Sequence, residues 1–193
     1  MSALIFLIKT FSDLYLLCVL LRILLQAVRA DFYNPISQFI VNVTNPLVRP
    51  ARRLIPSGRG LDIPTVVVLV VLEFLVTAVL LALVGVGLLP RIDQLIWLVA
   101  FRLIALLLWT YTVCIFVYVI LSWVAQANYS PIAMLLGQVV EPVLRPARRL
   151  LPILGGLDLS PLIVLILLQA ASILLATSIA PILIAPGVAP LIR

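Results

Sequence analysis

Long apolar stretches alternate along the chain with shorter segments in which polar residues return at helical spacing. The first stretch, residues 3–28, reaches about 39 Å as a helix, enough to cross a hydrocarbon core about 30 Å thick with some tilt. Lys9 and Asp13 stand four residues apart near its first turns, where such a pair can meet, and Arg22 lies about 10 Å short of the Arg29 end. Lys9 and Asp13 also interrupt what would be the core of a signal peptide, so this span is expected to be retained. From Pro35 the pattern changes: Ile36, Phe39, Ile40, Val43 and Leu47 recur at three- and four-residue steps, with Ser37, Gln38, Asn42 and Thr44 elsewhere. That stripe is too interrupted to span. It predicts an amphipathic helix over 35–48 lying in the membrane interface, the alternative being a short helix packed on the spans.

Prolines 46, 50 and 56 then break helix continuity among four arginines, Arg49, Arg52, Arg53 and Arg59. Asp62 or a neighbour caps a second span over 64–89, with Glu73 about 14 Å in and Gly85 and Gly87 near its exit. A short turn at 90–93 leads to a third span over 97–125, along which Arg102 is expected to snorkel outward. A second amphipathic helix is predicted over 131–144, followed by Arg145, Arg148 and Arg149. Asp158 or Ser160 caps a fourth span over 161–184, Pro161 taking its first position, and a proline-rich tail closes the chain.

The pattern occurs twice. At one ungapped offset of 96, Tyr15 falls on Tyr111, Cys18 on Cys114, Pro35 on Pro131, Arg52 on Arg148, Pro56 on Pro152 and Asp62 on Asp158. The expected fold is an all-α membrane protein of two tandem units, 1–96 and 97–193, each built as span, interfacial amphipathic helix, basic turn and span, four transmembrane helices in all. Two spans per unit return the chain to the side it left, so the units are parallel and both basic turns face one compartment. Eight arginines lie on that side, against Lys9, Arg91 and Arg193 on the other, which predicts cytoplasmic turns and extracytoplasmic termini.

Composition agrees with this picture and narrows the chemistry. Hydrophobic residues make up 65% of the chain and charged residues 10%, too few polar side chains for a water-soluble shell. With no histidine and only Cys18 and Cys114, the usual metal clusters and nucleophile–base pairs cannot be assembled, so neither an enzyme nor a cofactor is expected. The two cysteines are read as small hydrophobes in mid-span. Gly85 and Gly87 lack the spacing of a nucleotide fingerprint. A net charge of +6 would suggest nucleic acid in a soluble protein; beside membrane spans it points to orientation and anionic lipid, and no nucleic-acid partner is expected.

Three motifs carry a resemblance. Asn or Ser before Pro, then Pro-x-x-x-Pro-x-Arg-Arg-x-x-Pro, then Gly-x-Asp-x-Ser-Pro is similar to the pattern of the YggT family, also called YlmG, of bacteria and plastids. Arg148, Arg149, Pro152, Gly156, Asp158, Ser160 and Pro161 stand where the family has them, whereas Ile63-Pro64-Thr65 departs from the Leu-Ser-Pro ending in the first copy. The resemblance implies a small bacterial inner-membrane protein. It also carries links to osmotic tolerance, division or nucleoid organisation, and cofactor assembly in photosynthetic membranes.

Two sets of residues are candidate sites. Arg49, Arg52, Arg53, Arg145, Arg148 and Arg149 are either topogenic anchors or a surface for anionic headgroups or partner proteins. Arg22 and Glu73, each costing about 2.5–3.5 kcal/mol alone in hydrocarbon, are expected to pair between spans one and two, as a structural clamp or as an ion or proton site. In the second copy their places are taken by Tyr118 and Gln169. The expected function is a non-enzymatic membrane scaffold or assembly factor, with homo-oligomers possible. The alternative is an oligomeric channel or transporter component.

Overall fold

The computed structural model describes residues 3–56, 62–84, 92–123, 130–150 and 158–179. They form six helices: α1 (Ala3–Ala27), α2 (Pro35–Leu54), α3 (Ile63–Val84), α4 (Ile92–Trp123), α5 (Pro131–Leu150) and α6 (Ser160–Ile179). Among the described residues there is no strand. Four helices have the length and composition of membrane spans, at Ala3–Ala27, Ile63–Leu83, Gln94–Trp123 and Ser160–Ser178. Expectations for Gly85, Gly87, Pro90, Arg91, Arg59 and the tail after residue 184 lie outside the described residues.

The two connecting helices are longer than their sequence suggests. α2 and α5 each run for 20 residues, starting at Pro35 and at Pro131, and carry Pro46, Pro50 and Pro142, Pro146 inside. These prolines do not break the helix, and the arginine motif forms its last turns rather than a separate turn. The reason is positional: a proline at i forfeits the bond to the carbonyl of i−4. All four prolines are exposed, as are Asn42 and Gln138, so the freed carbonyls open on the outer face where solvent can satisfy them. Span three likewise starts earlier than expected, with Ile92 and Asp93 already helical.

Local caps set the turns. α1 ends with Arg29 in the left-handed region at φ 53°, Arg29 N–H donating to the Gln26 carbonyl and Ala30 N–H to that of Leu25, a Schellman closure. Asn34 caps α2, its side chain accepting from Ile36 N–H at 3.0 Å, and Ser130 caps α5, accepting from Ala133 N–H at 3.1 Å. The Asn34 amide also donates to the Pro131 carbonyl at 2.7 Å, tying the starts of α2 and α5 together. Both connecting helices therefore sit at one end of the bundle, together with the end of α1 and the start of α3.

Helices α1, α2 and α3 pack on one another, as do α4, α5 and α6, and α3 against α4 joins the two groups. One core lies toward α2 and α5, where Leu16 and Val19 meet Ile40, Ile115, Val139, Val140 and Leu144. A second lies toward the other end, built from Ile5, Leu80, Leu81, Leu95, Leu98 and Val99. Between them runs a charged layer.

Candidate functional site

That layer joins three helices. Arg102 of α4 donates through Nε to Glu73 of α3, and through Nη2 to Asp13 of α1 at 2.9 Å. Thr77, one turn on from Glu73, donates its hydroxyl to the same carboxylate at 3.1 Å. Glu73 and Thr77 are each 1% exposed and Arg102 8%, while the Asp13 side chain is 38% exposed. Asp13, Glu73 and Arg102 each stand ten residues, about 15 Å, into their helices, a depth at which a helix that crosses a membrane offers a charge no water. Two carboxylates around one guanidinium supply the stabilisation instead.

Arg22 is not part of this layer. It lies only five residues from the end of α1, at the level of α2, and its Nη1 donates to Thr44 Oγ1 at 2.7 Å, Asn45 Oδ1 at 3.1 Å and the Val41 carbonyl at 3.3 Å. The expected Arg22–Glu73 pair is therefore corrected: Arg22 fastens α2 onto α1, and Glu73 takes Arg102. Depth and helix order explain the difference, since α4 packs on α3 and carries Arg102 to the level of Glu73. Arg102 does not snorkel outward. The Asp13 carboxylate accepts from Arg102, and Lys9, four residues away on α1, lies within electrostatic reach of both. The second half docks differently: Tyr118, at the place of Arg22, lies against Gly137 of α5, where an added Cβ would come within 3.6 Å of its ring.

The two basic helix ends share one device. Arg52 pairs with Asp62 at 2.5 Å, and Arg148 with Asp158 at 2.8 Å, each reaching an aspartate ten residues on at the start of the next span. Asp62 is buried and also accepts from the Thr65 hydroxyl at 2.5 Å, while its own carbonyl takes the Val66 N–H at 3.1 Å. Burial alone would raise the Asp62 carboxyl, but the hydrogen bonds from Arg52 and Thr65 outweigh it and hold the group below its ordinary value. Asp158 is exposed and accepts from Ser160 N–H at 2.9 Å. Desolvation pushes it up, and the bonds from Ser160 and Arg148 bring it below the usual range. Ser160 is thus the first helical residue and Asp158 the capping one, which puts Pro161 second rather than first. Arg148 also meets Glu141 at 2.5 Å. Arg49, Arg53, Arg145 and Arg149 are exposed, with no ion pair among the described residues.

Cys18 and Cys114 are free thiols, Cys114 buried in the core beside α5. Among the described residues no three of His, Cys, Asp or Glu gather where a metal ion could be held. Arg102, which sequence reasoning set aside, carried a signal: it is a charge in apolar sequence, with acids on two other spans to meet.

The profile of CCB3/YggT proteins matches residues 1–83 and 97–179, most of the chain. The chain belongs to the CCB3/YggT family. Relatives at this level of similarity include the uncharacterised protein YggT of Escherichia coli K12, 42% identical over 173 residues, which cover 89% of this chain and 88% of that protein. An uncharacterised protein of Pseudomonas aeruginosa is 43% identical over 173 residues, 90% of this chain and 88% of its own length. One encoded in the proC 3′ region of Vibrio alginolyticus is 44% identical over 178 residues, 90% and 94%. No solved structure matches. Both segments matched by the YggT profile include an arginine–aspartate tether and the whole of one connecting helix.

Proposed function

We propose that this YggT-family chain is a non-enzymatic scaffold of the bacterial inner membrane that gathers anionic phospholipid headgroups on its cytoplasmic face. In this reading the chain is two parallel tandem units, α1–α3 and α4–α6, with α2 and α5 lying in the interface and both termini extracytoplasmic. The observation that carries it is the division of labour within the arginine motif. Arg52 and Arg148 are spent on Asp62 and Asp158, which leaves Arg49, Arg53, Arg145 and Arg149 exposed at the same end of the bundle. Near an anionic leaflet each contributes about 1 kcal/mol, so the four together bias the local lipid by about 4 kcal/mol at most. Tethering of each helix end to the following span supports the lipid reading, because the exposed guanidinium groups are then held rather than splayed.

The charged layer supports a clamp role. Each of its charges answers another across a helix seam, and the alternative of an oligomeric channel component draws on the same residues with no further observation in its favour. The test of the lipid reading is native mass spectrometry of protein released from membranes containing phosphatidylglycerol and cardiolipin. Changing Arg49, Arg53, Arg145 and Arg149 to Gln is expected to strip the retained anionic lipid while leaving the melting temperature unchanged. Equal lipid retention by parent and variant overturns the proposal.

A further inference from the structure

α3 gives one stripe to its seam with α4: Glu73, Thr77, Leu80 and Leu81, none more than 1% exposed. At the offset of 96 the same stripe on α6 reads Gln169, Ile173, Ala176 and Thr177, and all four are exposed. The other side of the seam behaves alike. On α4, Val99 and Arg102 are buried and Leu106 is half-buried, whereas their counterparts on α1, Ala3, Phe6 and Thr10, are exposed.

We propose that these two open stripes are the halves of a second seam, closed between molecules: α6 of one copy receives α1 of a second copy as α3 receives α4 within the chain. The inference rests on the tandem-unit reading, which makes α6 the counterpart of α3 and α1 that of α4. Three features fit a protein occupant better than lipid. Gln169 is the tenth of the 20 residues of α6, about 14 Å from either end, where acyl chains offer its amide no hydrogen bond. Across the seam, Thr10 donates its hydroxyl to the Phe6 carbonyl at 2.8 Å, which leaves its oxygen lone pairs to accept from an incoming amide. Where α3 carries Leu80 and Leu81, α6 carries Ala176 and Thr177, small residues of the kind that let membrane helices approach closely.

The occupant is a second copy rather than an unrelated helix because the acceptor stripe and its mate are both on this chain, continuing a seam the chain already makes once. Such a contact is head-to-tail, since the α6 stripe meets α1 and not another α6, and it closes into a ring when its rotation closes.

The experiment co-expresses two differently tagged chains lacking Cys18 and Cys114, one carrying Phe6→Cys and the other Gln169→Cys, and oxidises the native membranes. Both positions are exposed, so the fold does not depend on them. The expected result is a disulfide between the two tags at least tenfold stronger than either like-with-like pair, with native mass spectrometry giving more than one chain per particle. Absence of the mixed crosslink, predominance of a Gln169→Cys pair with itself, or a Gln169→Cys crosslink to a different protein each overturns the proposal. Lipid retention is read separately on Arg49, Arg53, Arg145 and Arg149, so failure of the seam and failure of the lipid reading are distinguishable.

Discussion

Arg102→Leu is the most informative single change, because one guanidinium answers two acids on two other helices. Removing it leaves Glu73, 1% exposed, with only the Thr77 hydroxyl at 3.1 Å, and takes from Asp13 its partner on α4. Breaking a buried pair in this way costs about 3–5 kcal/mol. Glu73→Leu is milder, because Arg102 keeps Asp13 at 2.9 Å, and about 1.5–3 kcal/mol is expected from the one charged hydrogen bond that is lost. The double change Glu73→Leu with Arg102→Leu removes charge and countercharge together, so it is expected to be no less stable than Arg102→Leu alone. Adding Asp13→Leu and Lys9→Leu, so that no charge of the cluster is left unanswered, brings the protein to within about 1 kcal/mol of the parent, as apolar replacements of buried ion clusters do. Unfolding by titrated sodium dodecyl sulfate in detergent micelles, followed by tryptophan fluorescence, measures each step. Trp97 and Trp109, on either side of Arg102 in the sequence of α4, supply the signal. An Arg102→Leu protein within about 1 kcal/mol of the parent, or a double variant whose loss equals the sum of the singles, refutes the clamp.

Two further changes probe how the connecting helices are held. Arg22→Met removes three hydrogen bonds to α2 and is expected to cost about 1.5–3 kcal/mol, with amide exchange quickening in α2 and unchanged in α5; equal exchange in both helices contradicts the docking role. Asp62 has its carboxyl held below the ordinary value, so the stability it contributes is complete above the unfolded carboxylate value and is lost as pH falls through the lowered native one. Asp62→Asn should therefore lower the melting temperature at neutral pH and flatten its acid decline, and Asp158→Asn, at an exposed carboxylate, should do so less. A parent and Asp62→Asn protein with parallel melting curves from about pH 7 down to about pH 3 would exclude the tether.

Much of the architecture was legible in the order of residues. Apolar runs of span length fall where α1, α3, α4 and α6 lie, and the interrupted stripes after Pro35 and Pro131 fall on α2 and α5. Span length and helical period are local properties, set by bilayer thickness and by 3.6 residues per turn, so they can be read without knowing what packs on what. The prolines misled for the opposite reason. Whether Pro46 and Pro50 break a helix depends on where the freed carbonyls point, and only the docked orientation of α2 turns them outward.

The partners of the membrane charges were decided by the tertiary structure. In sequence Arg22 and Glu73 stand as the two lone charges of neighbouring spans, and pairing them is economical. Depth separates them: Arg22 stands five residues from the end of α1, level with Thr44 and Asn45, whereas Glu73 stands in the middle of α3, level with Arg102. The sequence by itself determined that these charges lie in apolar helices and that each needs an answer, because hydrocarbon solvates neither sign. Which charge answers which follows from the packing of α4 on α3 and α1, since a pair forms only where helix order and depth bring two side chains to one level of the bundle.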